Sequence, residues 1–388
     1  MRILVAAERL GHAGGMERYL DIVLRALAAR GATVHVLVRE AGTVPDGVSV
    51  QHVAWAEEHA ASDDDARAAT SQALAAFAPD VAVAHNVMDA GIVEALRAAP
   101  RLAYHVHDHR PFCPNGDRVF PRTGRNCTQP LGLPCAAHAL LDGCAYGPRP
   151  GTLTLIARRR RLRDAIAASD TVIVASHYVG ERAASSGVPR DRIAEIPLPL
   201  PDDAYGDSAA QPTDRTVLFA GRVVPQKGLD SLVRAVAGIT PGLRPRVRAL
   251  GDGPALAAVR TLATSLAVIL DAPGAVPPRS VRAALDDAAL VALPSRWAEP
   301  FGYVGIEAFA RARTVVAYDV GGVRTWLDDG TNGVAVGAGD EGALGNAIAA
   351  LLGDGVRRET LARRARLDAE RFRAAPVVDA LLSAYLQE

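Results

Sequence analysis

Of the 43 lysine and arginine side chains in this 388-residue sequence, a single one is lysine: Lys227, in the stretch GRVVPQKGLD that runs from Gly221 to Asp230. TVLFAG just before it reads as a strand, and GLDSLVRAVAG just after it as a helix, which puts Arg222 and Lys227 on a strand-to-helix loop. Two cations, the glycines at 221 and 228 and the N–H groups of a helix start together suit a diphosphate. Arginine offers a flat fork to phosphate oxygens, whereas lysine offers a compact charge that can follow one oxygen as charge grows on it. An ammonium kept in so arginine-biased a chain points to a place where the fork does not fit. Taken alone, the lysine would read equally well as a solvated loop cation.

A second stretch shifts that balance. In SRWAEPFGYVGIEAFARA, seven residues separate Glu299 from Glu307. Glu299 follows the strand LVALPS, and PFG leads into a helix that carries Glu307. The backbone N–H groups around Phe301, Gly302 and Tyr303 would point at an anion. One carboxylate could then grip a sugar's hydroxyls before the helix and the other a pair of hydroxyls further along. Helix-dipole preference and a solvated helix face explain each glutamate singly, but not EPFG.

The elements that must position these groups follow a regular order. RILVAA, ATVHVLV, DVAVAH, LAYHVH and TVIVAS are short apolar strands separated by helical segments, the first helix showing Met16, Tyr19, Leu20, Val23 and Leu27 on one stripe. The pattern restarts with TVLFAG, RVRALG, AVILDAPG, LVALPS and TVVAYDV. Strands apolar on both faces and alternating with helices predict parallel sheets covered on both sides. Between the two series, residues 196–214 are rich in proline, aspartate and small residues and read as a linker. The expected architecture is α/β: two doubly wound domains joined by a hinge, with ligands beyond the carboxyl ends of the strands in a cleft between them.

Composition agrees with an ordinary two-domain protein, at 49% apolar and 22% charged residues with a formal net charge of zero. That balance gives no electrostatic case for binding nucleic acid. No apolar run reaches the roughly 18–20 residues of a membrane span, and Glu8 and Arg9 interrupt the first apolar stretch too early for a signal peptide. A cytoplasmic location is expected. The four arginines of LIARRRRLRDAIAAS fan around more than one side of a helix, so a solvated helix is favoured over a peripheral membrane contact. The acidic run at Asp63 to Asp65 reads as a solvated face. All four cysteines, Cys113, Cys127, Cys135 and Cys144, fall in one segment with gaps of 13, 7 and 8 residues. In a reducing compartment such a cluster favours a metal site or free thiols over disulfides. The gaps are wider than the C-x2-C pairs of ordinary zinc modules, so a structural zinc or other metal site stands as one reading beside small buried thiols or bridges that pin a loop.

Together GRVVPQKG, EPFGYVGIE, GGMERYL and DVGG resemble the family 4 glycosyltransferases of GT-B fold, nearly end to end. The resemblance implies two facing Rossmann-like domains, a nucleotide-diphosphate sugar as co-substrate, a hydroxyl acceptor and transfer with retention. It implies an acceptor-binding domain over residues 1–198 with a cysteine-containing insertion at about 110–150, a donor-binding domain over 199–370, and a final helix over 371–388 that crosses back to the first domain. Arg222 and Lys227 would hold the diphosphate and neutralise the leaving group without a catalytic metal. Glu307 would bind the ribose, and Glu299 the transferred sugar beside the amides of Phe301 and Gly302. Gly14 and Gly15 would let the first loop approach the diphosphate. In HVHDH, His107 matches best the histidine placed beside the reacting sugar, with His105 facing the same side, His109 weaker, and Asp108 orienting the imidazole or capping the next turn. One departure is visible: after DVGG the family often carries an acidic residue, where this chain has Thr325. A sugar-nucleotide epimerase of the same fold and a catalytically silent homologue are the rival readings. An oxidoreductase is weaker still, because GHAGGMER lacks the full glycine fingerprint of a dinucleotide site.

Overall fold

The computed structural model describes residues 1–11, 14–54, 64–144, 151–206, 212 and 214–387. His12, Ala13 and Asp63, which belong to motifs noted above, lie outside the described residues. The chain divides into two compact units, Met1–Pro199 with Ala374–Glu388, and Leu200–Arg373.

The first unit is built on β1 (Arg2–Leu10), β2 (Thr33–Ala41), β3 (Val48–His52), β4 (Val81–His85), β5 (Leu102–Val106), β6 (Thr171–Val174) and β7 (Ile193–Glu195). They form one sheet in the order β3-β2-β1-β4-β5-β6-β7, with every pair parallel. Its helices are α1 (Gly15–Ala29), α2 (Asp64–Phe77), α3 (Ala90–Leu96), α4 (Leu133–Leu141), α5 (Gly151–Ala167) and α6 (His177–Ser185). β4, β5 and β6 are buried along their whole length, as strands covered on both faces must be. On α1 the buried face is Tyr19, Leu20, Ile22, Val23, Leu24 and Leu27, a wider stripe than the sequence periodicity indicates. The arginines of α5 do fan out: Arg159 is buried, whereas Arg161 reaches the surface and pairs with Glu94.

The second unit contains β8 (Thr216–Ala220), β9 (Arg246–Leu250), β10 (Leu270–Gly274), β11 (Leu290–Leu293), β12 (Val315–Tyr318) and β13 (Gly333–Val336). Their order is β10-β9-β8-β11-β12-β13, again all parallel. Helices α7 (Leu229–Ala237), α8 (Leu256–Ser265), α9 (Pro278–Asp287), α10 (Tyr303–Ala310), α11 (Glu341–Gly353) and α12 (Gly355–Asp368) connect the strands and complete the unit. The last helix, α13 (Ala374–Leu386), belongs to the first unit and buries Val377, Val378, Leu381 and Tyr385 there. Among the described residues no helix is long and apolar enough to cross a membrane.

In both sheets the chain order reverses beside the first strand, between β1 and β4 and between β8 and β11. The loops leaving two such strands diverge to opposite faces and open a crevice at the carboxyl edge. Each unit therefore has one place where the topology itself prepares a binding site.

Candidate active site

In the second unit, the crevice is formed by the loop after β8, which carries Arg222 and Lys227, and the loop after β11, which carries Ser295 to Gly302. The two loops are clamped together. Arg296 donates its backbone N–H to Gln226 O at 2.8 Å, and its guanidinium reaches Pro225 O at 2.6 Å and Asp230 at 2.9 Å. Gly228 completes the fit: its φ of +69° is left-handed, and a Cβ there would lie 2.0 Å from Pro294 O.

Lys227 and Glu299 are in direct contact. The ammonium lies 2.7 Å from Oε2 and 3.0 Å from Oε1, with the Glu299 side chain 8% exposed and that of Lys227 23%. Ser295 Oγ and Trp297 Nε1 also donate to Oε2, at 3.0 and 2.9 Å. Burial pushes the Glu299 carboxyl up, but the Lys227 charge and these hydrogen bonds outweigh it, so it titrates below the ordinary glutamate range. Trp297 also sets its ring 5.3 Å from the ammonium, a cation–π contact that fixes Lys227 from a second side. Arg222, in contrast, is exposed, and its guanidinium makes no hydrogen bond or ion pair among the described residues.

The remaining residues of the EPFG stretch are positioned by packing. Phe301 is buried, and its carbonyl accepts a 2.6 Å hydrogen bond from Nε1 of the fully buried Trp326. Gly302, at φ +96°, caps α10, and Glu307 lies buried on that helix. Neither α10 nor α7 has a side-chain cap at its amino end, since both begin on glycine. Their first N–H groups are oriented as an anion site requires. The loop after β12 closes on the same place, with Gly322 N–H donating to Glu299 O at 2.7 Å. Thr325 lies at the end of the short 3-10 turn there.

In the first unit, Gly14 and Gly15 lie exposed at the start of α1, after β1. Gly14 is extended rather than left-handed, at φ 165°. At the ends of β4 and β5 three histidines gather: His85, His105 and His107. His85 Nδ1 and His107 Nε2 share a hydrogen bond at 3.0 Å, while His105 is held between Tyr19 Oη (3.2 Å, at Nδ1) and Tyr385 Oη (2.9 Å, at Nε2). The rings are nearly parallel, 16° to 29° apart. Their ligand atoms lie within 4.8 Å of one another. Parallel rings do not aim in-plane lone pairs at a common point, however, and four of the six ring nitrogens are committed to one another and to the tyrosines. The group is a hydrogen-bonded stack rather than a metal centre.

Burial lowers His107 to about 4, against the opposing pull of Asp108, and drives His85 and His105 well below the ordinary histidine range. The stack is neutral at pH 7. Half-buried His107 keeps its Nδ1 without a hydrogen-bond partner among the described residues. Asn86, at φ +52°, accepts the His107 N–H through Oδ1 at 3.3 Å. Asp108 takes the turn-capping role, accepting from Arg110 N–H at 2.9 Å and Nε at 2.8 Å. His109 is buried with its ring against Tyr178. Reasoning from sequence missed His85, Tyr19, Tyr385, Ser295 and Trp297.

Comparison with known proteins shows the family and the fold. Residues 13–203 match the family described as Glycosyltransferase Family 4, and residues 214–354 match Glycosyl transferases group 1. A D-inositol 3-phosphate glycosyltransferase of Xylanimonas cellulosilytica is 30% identical over 407 residues, covering 97% of this chain and 92% of that protein. The chain belongs to the family 4 glycosyltransferases. Another relative of this family 4 glycosyltransferase, the D-inositol 3-phosphate glycosyltransferase of Acidothermus cellulolyticus, is 29% identical over 97% of the chain and 86% of its own length. Among solved structures, Anabaena HepE in complex with UDP and glucose has a TM-score of 0.74 at 18% identity, and WaaG, a glycosyltransferase involved in lipopolysaccharide biosynthesis, 0.71 at 16%. Both comparisons cover 100% of each chain. The fold of this family 4 glycosyltransferase is GT-B.

Proposed function

We propose that the chain transfers a sugar from a nucleotide-diphosphate sugar to a hydroxyl acceptor with retention of anomeric configuration. In this reading the donor is held by Leu200–Arg373 and the acceptor by Met1–Pro199. The observation that carries it is the Lys227–Glu299 pair at the point where the second sheet reverses its order, with unpaired Arg222 on the same loop.

The charge balance explains why both cations are needed. Lys227 and Glu299 neutralise one another, so the ground-state attraction for the diphosphate comes from Arg222 and the uncapped starts of α7 and α10. As the bond from the sugar carbon to the diphosphate oxygen breaks, the electron pair leaves with the diphosphate. Lys227, already held by Glu299 and Trp297, then meets charge that did not exist before. The acceptor hydroxyl bonds to the same carbon on the face the diphosphate leaves, and the departing phosphate takes its proton. Glu307 binds the ribose, Glu299 touches the transferred sugar beside the Phe301 and Gly302 amides, and Gly14 and Gly15 give the diphosphate close backbone approach. Neutral His107 offers a hydrogen bond, not a charge, to a sugar hydroxyl. With two cations meeting the leaving group, no catalytic metal is called for. Support for the donor class comes from Anabaena HepE, solved with UDP and with UDP-glucose. The named activity of the curated relatives makes a cyclic polyol phosphate the first acceptor to try.

The test is release of nucleoside diphosphate from UDP-, GDP-, ADP- and dTDP-sugars in the presence of acceptor, with the anomeric configuration of the product read by NMR. Lys227→Ala should lower kcat about 10²–10³-fold, with KM for the donor moving far less. Near-normal turnover in that variant would end the proposal. Removing Lys227 strands a buried carboxylate, so Lys227→Arg is the companion: it should melt close to the parent and still lose most of its turnover.

A further inference from the structure

The four cysteines take no part in the mechanism above, yet they converge. Cys113 follows a 3-10 turn at Arg110–Phe112, Cys127 follows the antiparallel bridge between Val119 and Asn126, Cys135 lies in the first turn of α4, and Cys144 lies just past its end. All four line one small cavity of about 30 Å³, and none is in a disulfide.

A buried cation shares that cavity with the sulfurs. Arg118 lines the same cavity with a side chain 1% exposed. Its Nε and Nη2 donate to the carbonyls of Cys127 (3.1 Å) and Gln129 (2.7 Å), and its buried Nη1 has no hydrogen-bond partner among the described residues. A guanidinium taken out of water and given only carbonyls is an uncompensated charge. Neutral thiols do not compensate it. A divalent ion bound by four thiolates carries a net charge of −2, and Arg118 is then its counter-charge.

We propose that Cys113, Cys127, Cys135 and Cys144 bind one zinc ion as a tetrathiolate site that organises the segment between β5 and α5. On binding, the four thiols release their protons to solvent and the sulfurs close on a common centre, at about 2.3 Å from the metal. His138 also lines the cavity, but its Nδ1 is bound by Asp142 at 2.6 Å, and sulfur is the softer and more numerous donor. The segment starts three residues beyond Arg110, which braces Asp108 and Glu8. The zinc thereby anchors the far end of a turn whose near end follows His107.

The full chain, purified without added metal and dialysed against metal-free buffer, should carry about one zinc by plasma mass spectrometry. A mercurial thiol reagent should release that zinc to a colorimetric chelator as the sulfurs are titrated. Cys127→Ser and Cys144→Ser should each lower zinc content at least tenfold, whereas His138→Gln should retain it. Wild-type chain stripped by chelator and reconstituted with zinc chloride gives the same reading without depending on how the variants fold. Four reactive thiols with no zinc bound before or after reconstitution would overturn the site, as would two disulfides on non-reducing peptide mapping. Iron in place of zinc would overturn the identity of the ion, and loss of zinc in His138→Gln the donor set.

Discussion

Glu299 accepts four hydrogen bonds, three of them at Oε2 and one at Oε1, so Oε1 is the oxygen with capacity left for a ligand hydroxyl. The signal for its partners was in the sequence: Ser295, Trp297 and Glu299 alternate, and in extended backbone alternate residues share a side. His85 had no such signal, because a histidine closing an apolar strand looks like any sheet-edge residue until the neighbouring strand brings His107 beside it. The histidine stack also makes a pH prediction. The folded chain holds His107 at about 4, against an ordinary value of 6.5, and His85 and His105 shift the same way. Between those values the unfolded chain binds protons that the folded chain refuses. Stability is therefore full above about pH 6.5 and falls as the pH drops towards 4, by on the order of 3 kcal/mol for His107 alone. Glu299, lowered in the folded state, adds a further loss below the ordinary glutamate range. Thermal melts from pH 7.5 to 4 should show the decline, and His107→Gln should make it shallower. A wild-type melting temperature flat between pH 7 and 5 would contradict the neutral stack.

At the scale of elements, long apolar strands were legible and short edge pieces were not. β3 is half-exposed, β7 has three residues and β13 opens on glycine, so none presents the apolar run that marks the central strands. In β10 the strand begins at Leu270, later than the apolar Ala267–Ile269 lead-in indicates. The loops that carry the site were placed correctly because a strand-to-helix junction leaves little choice about where the loop lies. What holds the EPFG loop could not be read in advance. Trp326 packs so close to α10 that a Cβ at Gly305 would lie 2.1 Å from its ring. Gly305→Ala should therefore displace the indole and weaken its bond to the Phe301 carbonyl, costing about 1–3 kcal/mol by overpacking. Urea unfolding measures the cost, and a donor KM that rises with it would tie that packing to binding.

At the scale of the molecule, the two units differ in how the chain builds them. Leu200–Arg373 is one continuous segment, whereas the other unit needs α13 from beyond it. Val377, Val378, Leu381 and Tyr385 are buried in that unit, at roughly 1.5–3 kcal/mol for each large apolar side chain. Their sum is comparable to the whole stability of an ordinary domain, about 5–15 kcal/mol. Expressed alone, residues 200–373 should unfold cooperatively. Residues 1–199 without α13 should show weak near-ultraviolet dichroism and rapid proteolysis. Equal protease resistance in the two fragments would remove α13 from the account of stability.

The ion pair that holds Lys227 has one more consequence. Reagents that seek primary amines, such as cyanate or the open-chain form of a reducing sugar, find a single side-chain target in this protein, and it sits in the crevice of the second sheet. Chemical ageing that other proteins spread over many harmless positions converges here on one. The carboxylate that grips this amine also stands guard over it.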